Sequence, residues 1–197
     1  MKKFLVIGNP IEHSLSPLLH NYWIKNNKVI GHNTDIIGFE KSIKKFKYNP
    51  SNREVLILGA GGVVPSIIFA LIKMKVTKIK ISNRTKEKAE HLRKLFKNIE
   101  IIEWGEVPNF DMIINATSLG LKKEDNISLD LSSNCRNKFF YDVIYNPKET
   151  NFLKTGKNLG NMTLNGKFMF IYQAHSAFKI WHGLEPEINE NVIKLLD

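Results

Sequence analysis

A chain of 197 residues can form one substantial domain, or one domain with a small appendage. Its 43% hydrophobic content is ordinary for a globular protein, no apolar run is long enough to span a bilayer, and the single cysteine, Cys135, excludes an internal disulfide framework. The formal charge of +10 is nearly all lysine, scattered over many helix faces with only four arginines. It reads as compositional drift rather than a nucleic-acid patch, so neither a nucleic-acid nor a membrane partner is expected.

In chain order, residues 4–8 are expected to form a short buried strand, whose apolar stretch is too short for the core of a signal peptide. A cytoplasmic protein is the simplest expectation. Ser16 and Pro17 suit the cap and first position of a helix reaching about residue 26. Residues 28–31 read as a short extended piece. Residues 35–46 are amphipathic, with Ile36, Ile37, Phe39, Ile43 and Phe46 apolar and the lysines of 41–47 on the solvated face. Asn49-Pro50-Ser51-Asn52 is a turn.

Glu54-Val55-Leu56-Ile57-Leu58-Gly59-Ala60-Gly61-Gly62-Val63 then runs from a buried strand into a glycine-rich turn, with a helix expected over 66–74. A dinucleotide pyrophosphate needs this arrangement: glycines let the backbone approach, and the unpaired N–H groups of the helix's first turn face the charge. The next strand, 79–82, ends in Asn83-Arg84-Thr85. An acidic residue about 20 positions past the glycines would select NAD through the ribose 2′-hydroxyl. Arg84 instead offers a planar cation suited to a 2′-phosphate, with Asn83 and Thr85 as neutral hydrogen-bonding groups. The alternative is a surface turn with an ordinary arginine; after the glycine turn, an NADP site is the better reading.

Further strands are expected at 99–103, 112–115 and 139–144, and helices at 86–96, 167–182 and 187–196. This alternation predicts a parallel sheet covered by helices. The fold class is therefore α/β.

Four further clusters carry hydrogen-bonding or ionisable groups. They are residues 10–17 with Ser14 and Ser16, then Gly31-His32-Asn33-Thr34-Asp35, then Asn115-Ala116-Thr117-Ser118, and last Asn165-Gly166-Lys167 through Gln173-Ala174. Each has a plain structural alternative. The serines could be turn and cap residues, Asp35 a helix N-terminal charge, and Gln173 an exposed polar side chain.

Taken together, these motifs resemble the shikimate dehydrogenase family. They are Ser14-x-Ser16-Pro17, Asn33-Thr34-Asp35, Gly59-Ala60-Gly61-Gly62, Asn83-Arg84-Thr85, Asn115-Ala116-Thr117-Ser118, Asp142 to Pro147 with Tyr145, and Gln173-Ala174. The resemblance covers nearly the whole chain. It implies NADPH-dependent reduction of 3-dehydroshikimate to shikimate, on the route to aromatic amino acids. It implies that Ser14 and Ser16 hydrogen-bond the substrate carboxylate, that Asp35 is one half of a catalytic pair, and that Tyr145 and Gln173 complete the substrate pocket. Gly59, Ala60, Gly61 and Gly62 would hold the pyrophosphate. Asn83, Arg84 and Thr85 would hold the 2′-phosphate end. Thr117, Ser118 and Met169 would lie by the nicotinamide half. No metal is implied. Residues 36–165 would form the Rossmann-like NADP-binding domain, and 1–35 with 166–197 a truncated α/β substrate domain.

One departure stands out. The family carries a segment of the type Asn-Val-Thr-x-Pro-x-Lys between the first helix and the Asn-Thr-Asp motif, and its lysine is the other catalytic residue. Here Asn26-Asn27 runs directly into Lys28-Val29-Ile30-Gly31. The join near Asn27 reads as an internal deletion. NADP binding with severely reduced turnover is expected, together with dimerisation or swapping through surfaces the lost segment once covered. A non-catalytic NADP-binding module is the alternative.

Overall fold

The computed structural model describes residues 31–131 and 135–197. The strand expected at 4–8, the helix expected at 16–26, most of the extended piece at 28–31, and Ser14 and Ser16 lie outside the described residues.

Along the described chain the elements are α1 (Thr34–Lys45), β1 (Glu54–Leu58), α2 (Val64–Lys73), β2 (Lys78–Ser82), α3 (Lys86–Leu95), β3 (Ile99–Ile102), β4 (Met112–Asn115), β5 (Phe139–Asp142), α4 (Asn151–Asn158), β6 (Met162–Leu164), α5 (Lys167–His182) and α6 (Glu190–Lys194). The six strands form one parallel sheet in the order β3-β2-β1-β4-β5-β6. Chain order reverses between β1 and β4. That point is where doubly wound sheets open a crevice at the carboxyl ends of their strands.

Both faces of the sheet are covered, which explains why β1 reads as a continuous apolar run. Val55 and Ile57 face a core built with Phe39 and Ile43 of α1, Ile67, Ile68 and Leu71 of α2, Ala89 and Leu92 of α3, and Met169 of α5. Leu56 and Leu58 face the opposite core, with Phe110, Phe140, and Phe152 and Leu153 of α4.

Double coverage also alters the reading of β2. Its lysine–isoleucine alternation suggests an outward-facing Lys80, yet Lys80 is buried. Its ammonium donates to Glu54 and to the Asn109 carbonyl, each at 2.6 Å, which offsets the desolvation.

Two elements were not anticipated. Helix α4 has little intrinsic propensity, with Asn, Thr and Gly in eight residues. It is fixed by the Thr150 cap on Leu153 N–H and by packing on β5, where a Cβ at Gly156 would lie 2.6 Å from the Phe140 ring. Strand β6 is a three-residue edge strand, too short for periodicity to show. Several elements are also shorter than expected, β3 and α3 by one residue and two others by more. β5 ends at Asp142 because its carboxylate takes the Ile144 N–H at 3.0 Å. The last helix, expected over 187–196, begins only after the Asn189 cap and covers Glu190–Lys194.

Candidate functional site

The cofactor side lies on three neighbouring strand ends. Gly59 follows β1 with φ of +109°, and a Cβ there would sit 2.7 Å from the Ala116 carbonyl oxygen, so only glycine fits. Gly59 N–H donates to Ser82 and Ala116 N–H to Leu58, both at 2.8 Å, tying the turn to β2 and to the loop after β4. Gly61 and Gly62 are exposed, and a Cβ at Gly62 would meet nothing within 4 Å. Helix α2 follows after Val63 with no side-chain cap. Val64 N–H donates to the Gly61 carbonyl at 3.1 Å, Ser66 N–H to the Val63 carbonyl at 3.1 Å, and Pro65 has no N–H, so the N–H groups of Gly61, Gly62 and Val63 are the ones available to an anion.

Arg84 is exposed one turn beyond β2, and among the described residues no carboxylate pairs with it. Asn83 spends its amide on the Thr85 carbonyl at 2.6 Å, which folds the turn rather than reaching outward. Thr85 is exposed at the start of α3. Lys86 is engaged with Glu103, whereas Lys88, in the same first turn, carries no ion pair among the described residues. It is a second cation four residues on from Arg84 that the motif reading passed over.

Past β4, Asn115 is buried and its carbonyl oxygen accepts from Thr117 N–H at 3.1 Å and Thr117 Oγ1 at 2.7 Å. Thr117 is thereby held against Gly59, with its methyl 3.1 Å from where a Gly59 Cβ would stand. Ser118 is exposed beside it.

The substrate side gathers on α1 and α5. Asn33 caps α1, accepting from Asp35 N–H at 3.1 Å and Ile36 N–H at 3.4 Å. Burial raises the Asp35 carboxyl above its ordinary value. Gly38, one turn on and on the same face, lets α5 approach closely: a Cβ there would lie 2.6 Å from the Met169 carbonyl oxygen and 2.9 Å from Gln173 Cβ. Gln173 is therefore seated one helical turn from Asp35. Tyr145 stacks on Phe170 of α5 at 4.6 Å between centroids, and Phe170 shares a face with Gln173. Asp35 and Gln173 are thus carried on two closely packed helices, and Tyr145 lies against α5 through Phe170. Met169 sits differently from the rest: it is buried in the core, and its backbone rather than its side chain meets Gly38.

Asp142 and Thr150 were not singled out as site residues, yet they organise this side. The buried Asp142 carboxylate accepts from Asn115 Nδ2 at 3.1 Å, Ile144 N–H at 3.0 Å and Thr150 Oγ1 at 2.6 Å, and burial pushes it up to about 6. A buried acid at a strand end, followed closely by a threonine, was the available signal.

The family model described as "Shikimate / quinate 5-dehydrogenase" matches residues 40–150. Over 262 aligned positions, covering 100% of this chain and 99% of the relative, the chain is 47% identical to the shikimate dehydrogenase (NADP(+)) of Pelagibacter ubique.

The chain belongs to the shikimate/quinate 5-dehydrogenase family.

Solved structures of the family and its neighbours agree. Shikimate dehydrogenase from Aquifex aeolicus superposes with a TM-score of 0.75 at 38% identity, over 84% of this chain and 61% of that one. The 5-ketofructose reductase of a Gluconobacter species gives 0.79 at 31%, over 95% and 76%. The expected α/β class and Rossmann-like parallel sheet are those of these relatives, and the expected NADP-dependent oxidoreductase character is that of the curated shikimate dehydrogenases. Seven further curated shikimate dehydrogenases are matched over 59% to 65% of their own length, so the chain spans about three fifths of these. Among the described residues no helix is long and apolar enough to cross a membrane.

Proposed function

We propose that this chain binds NADPH across the carboxyl ends of β2, β1 and β4, and that its site is built to reduce 3-dehydroshikimate to shikimate. The observation that supports the reading is the close packing of α1, which carries Asp35, on α5, which carries Gln173, through Gly38, with both helices contributing to the core under the sheet that bears the glycine turn. The residues present fit a phosphorylated dinucleotide. The glycine turn has open space at Gly62, and Arg84 has no carboxylate partner among the described residues.

NADPH, when bound, supplies the hydride. This chain's residues then have three tasks. Gly59, Ala60, Gly61 and Gly62 bring backbone to the pyrophosphate, and Arg84, with Asn83 and Thr85 shaping its turn, meets the 2′-phosphate. Ser14 and Ser16 bind the substrate carboxylate, while Tyr145 and Gln173 orient the ring. Reduction of a ketone places negative charge on its oxygen, and Asp35, raised by burial, can hold a proton nearer neutral pH than an exposed aspartate can.

Part of this machinery is missing in our reading. An alignment of 262 positions is filled by a chain of 197 residues, which supports an internal deletion near Asn27 that removed the catalytic-lysine segment. Loss of a proton-transferring partner costs about 10²–10⁴-fold. The chain is therefore an NADPH-binding member with severely reduced turnover, and a purely cofactor-binding module is the second reading. A homodimer and a cytoplasmic location belong to the same proposal. Large apolar side chains exposed on and after α5, Phe178 and Leu184 among them, favour the former; a lone cysteine and NADPH use favour the latter.

Calorimetric titration with NADPH, then with shikimate in its presence, tests this. NADPH binding without shikimate binding is expected if the join breaks the substrate pocket. Binding of both with normal turnover would refute the deletion reading, and no NADPH binding would refute the cofactor site.

A further inference from the structure

One side chain touches both halves of the site. Asn33 Oδ1 caps α1, taking the N–H groups of Asp35 and Ile36. Its Nδ2 donates to Ser66 Oγ at 2.9 Å, 33 residues away. Ser66 stands in the first turn of α2, the turn that follows Gly61 and Gly62, and it is 4% exposed. The amide therefore spans from the backbone of the proposed acid to the helix that faces the cofactor.

We propose that Asn33 is a positioning residue that couples cofactor binding at α2 to the placement of Asp35 on α1, through its hydrogen bond to Ser66. This rests on the NADPH and Asp35 assignments proposed above. The physical argument is one of shared order. Asp35 and Ile36 have no intrahelical acceptor for their N–H groups, being in the first turn, and among the described residues the Asn33 oxygen is the acceptor both use. The Asn33 amide is planar and rigid, so fixing Nδ2 at Ser66 also fixes Oδ1 over α1. A ligand that orders the first turn of α2 holds Ser66, hence Asn33, hence the Asp35 backbone. Coupling through shared order needs no change of average structure.

Hydrogen exchange on the full chain, with NADPH as the probe, decides it. Amides of Gly61, Gly62 and Val63 report cofactor binding directly, and those of Asp35 and Ile36 report transmission. In the wild type NADPH is expected to slow exchange at both places. In Ser66→Ala, which should fold well because alanine suits a helix, exchange at Asp35 and Ile36 should be about five- to tenfold faster without ligand and no longer respond to NADPH. Asn33→Ser keeps a cap oxygen but is too short to reach Ser66, so it too should lose transmission. Asn33→Asp can accept from the Ser66 hydroxyl and should retain it. A merely structural role would make the response follow melting temperature across the three variants instead of following the link.

Protection at Gly61–Val63 in the wild type with none at Asp35 and Ile36 would overturn the coupling alone. So would full transmission in Ser66→Ala. Protection at neither place would overturn the cofactor reading and the coupling with it.

Discussion

The Asn115 side-chain amide donates to Asp142 Oδ1 across 3.1 Å, joining the carboxyl ends of β4 and β5. One loop from this junction carries Thr117 and Ser118, the other Tyr145, and Thr150 Oγ1 closes the second loop on Asp142 Oδ2. The buried carboxylate is thus a clasp between the proposed cofactor and substrate sides.

That clasp should leave a signature in pH. Burial, partly offset by hydrogen bonds from Thr150, Ile144 and Asn115, raises the Asp142 carboxyl to about 6, well above its ordinary value. A raised carboxyl binds its proton in the folded state before the unfolded one does. Its contribution to stability is therefore fully present below about pH 4 and is lost as pH rises through about 6. The size is on the order of 3 kcal/mol, at 1.36 kcal/mol per unit. Asp142→Asn cannot ionise, so urea unfolding should show the variant gaining on the wild type between pH 4.5 and pH 7. An equal difference at both pH values would contradict the assignment.

Two glycines of one turn should behave differently. Gly59→Ala forces a side chain into positive φ and against the Ala116 carbonyl oxygen, and should lower stability by about 2–4 kcal/mol. Gly62→Ala meets nothing in the protein. It should leave the melting temperature unchanged while weakening NADPH binding, because its methyl enters the space the pyrophosphate would occupy. Equal loss of NADPH affinity and stability in Gly62→Ala would show a structural role only.

Arg84→Ala should lose about ten- to a hundredfold in NADPH affinity, the worth of one strong charged hydrogen bond, with NADH affinity little changed. Arg84 makes no ion pair among the described residues, so stability should hold. Fluorescence titration with both cofactors measures the ratio, and a parallel loss for NADH would remove Arg84 from the 2′-phosphate.

Gly38→Ala would ordinarily strengthen a helix by about 1 kcal/mol. Here its methyl would press on the Met169 carbonyl and Gln173 Cβ, so a net loss of about 1–3 kcal/mol is expected from thermal unfolding. A stabilised variant would mean that α1 and α5 are not closely packed.

The strand, glycine turn and helix of the cofactor side were legible because they are local. Residues 54–74 carry the apolar run, the turn and the helical spacing within one short stretch, and the same is true of Asn83-Arg84-Thr85. The α1 and α5 helices were legible from periodicity, and α5 was bounded correctly at Lys167–His182. Helix α4 was not, because it is fixed by the Thr150 cap and the Phe140 contact rather than by propensity, and strand β6 was not, because three residues paired to β5 show no periodicity.

By itself, the sequence determined the family, the α/β class and the chemistry available at each motif, since those follow from residue types at fixed local spacing. Only the tertiary structure decided which of those groups meet. Asn33 reaches Ser66 across 33 residues, Asn115 reaches Asp142 across 27, and Ser42 meets Tyr141 across 99. Lys80 is buried where alternation would have put it in water. Such pairings depend on sheet order and helix packing, which place distant residues within hydrogen-bond reach, and no local pattern encodes that distance.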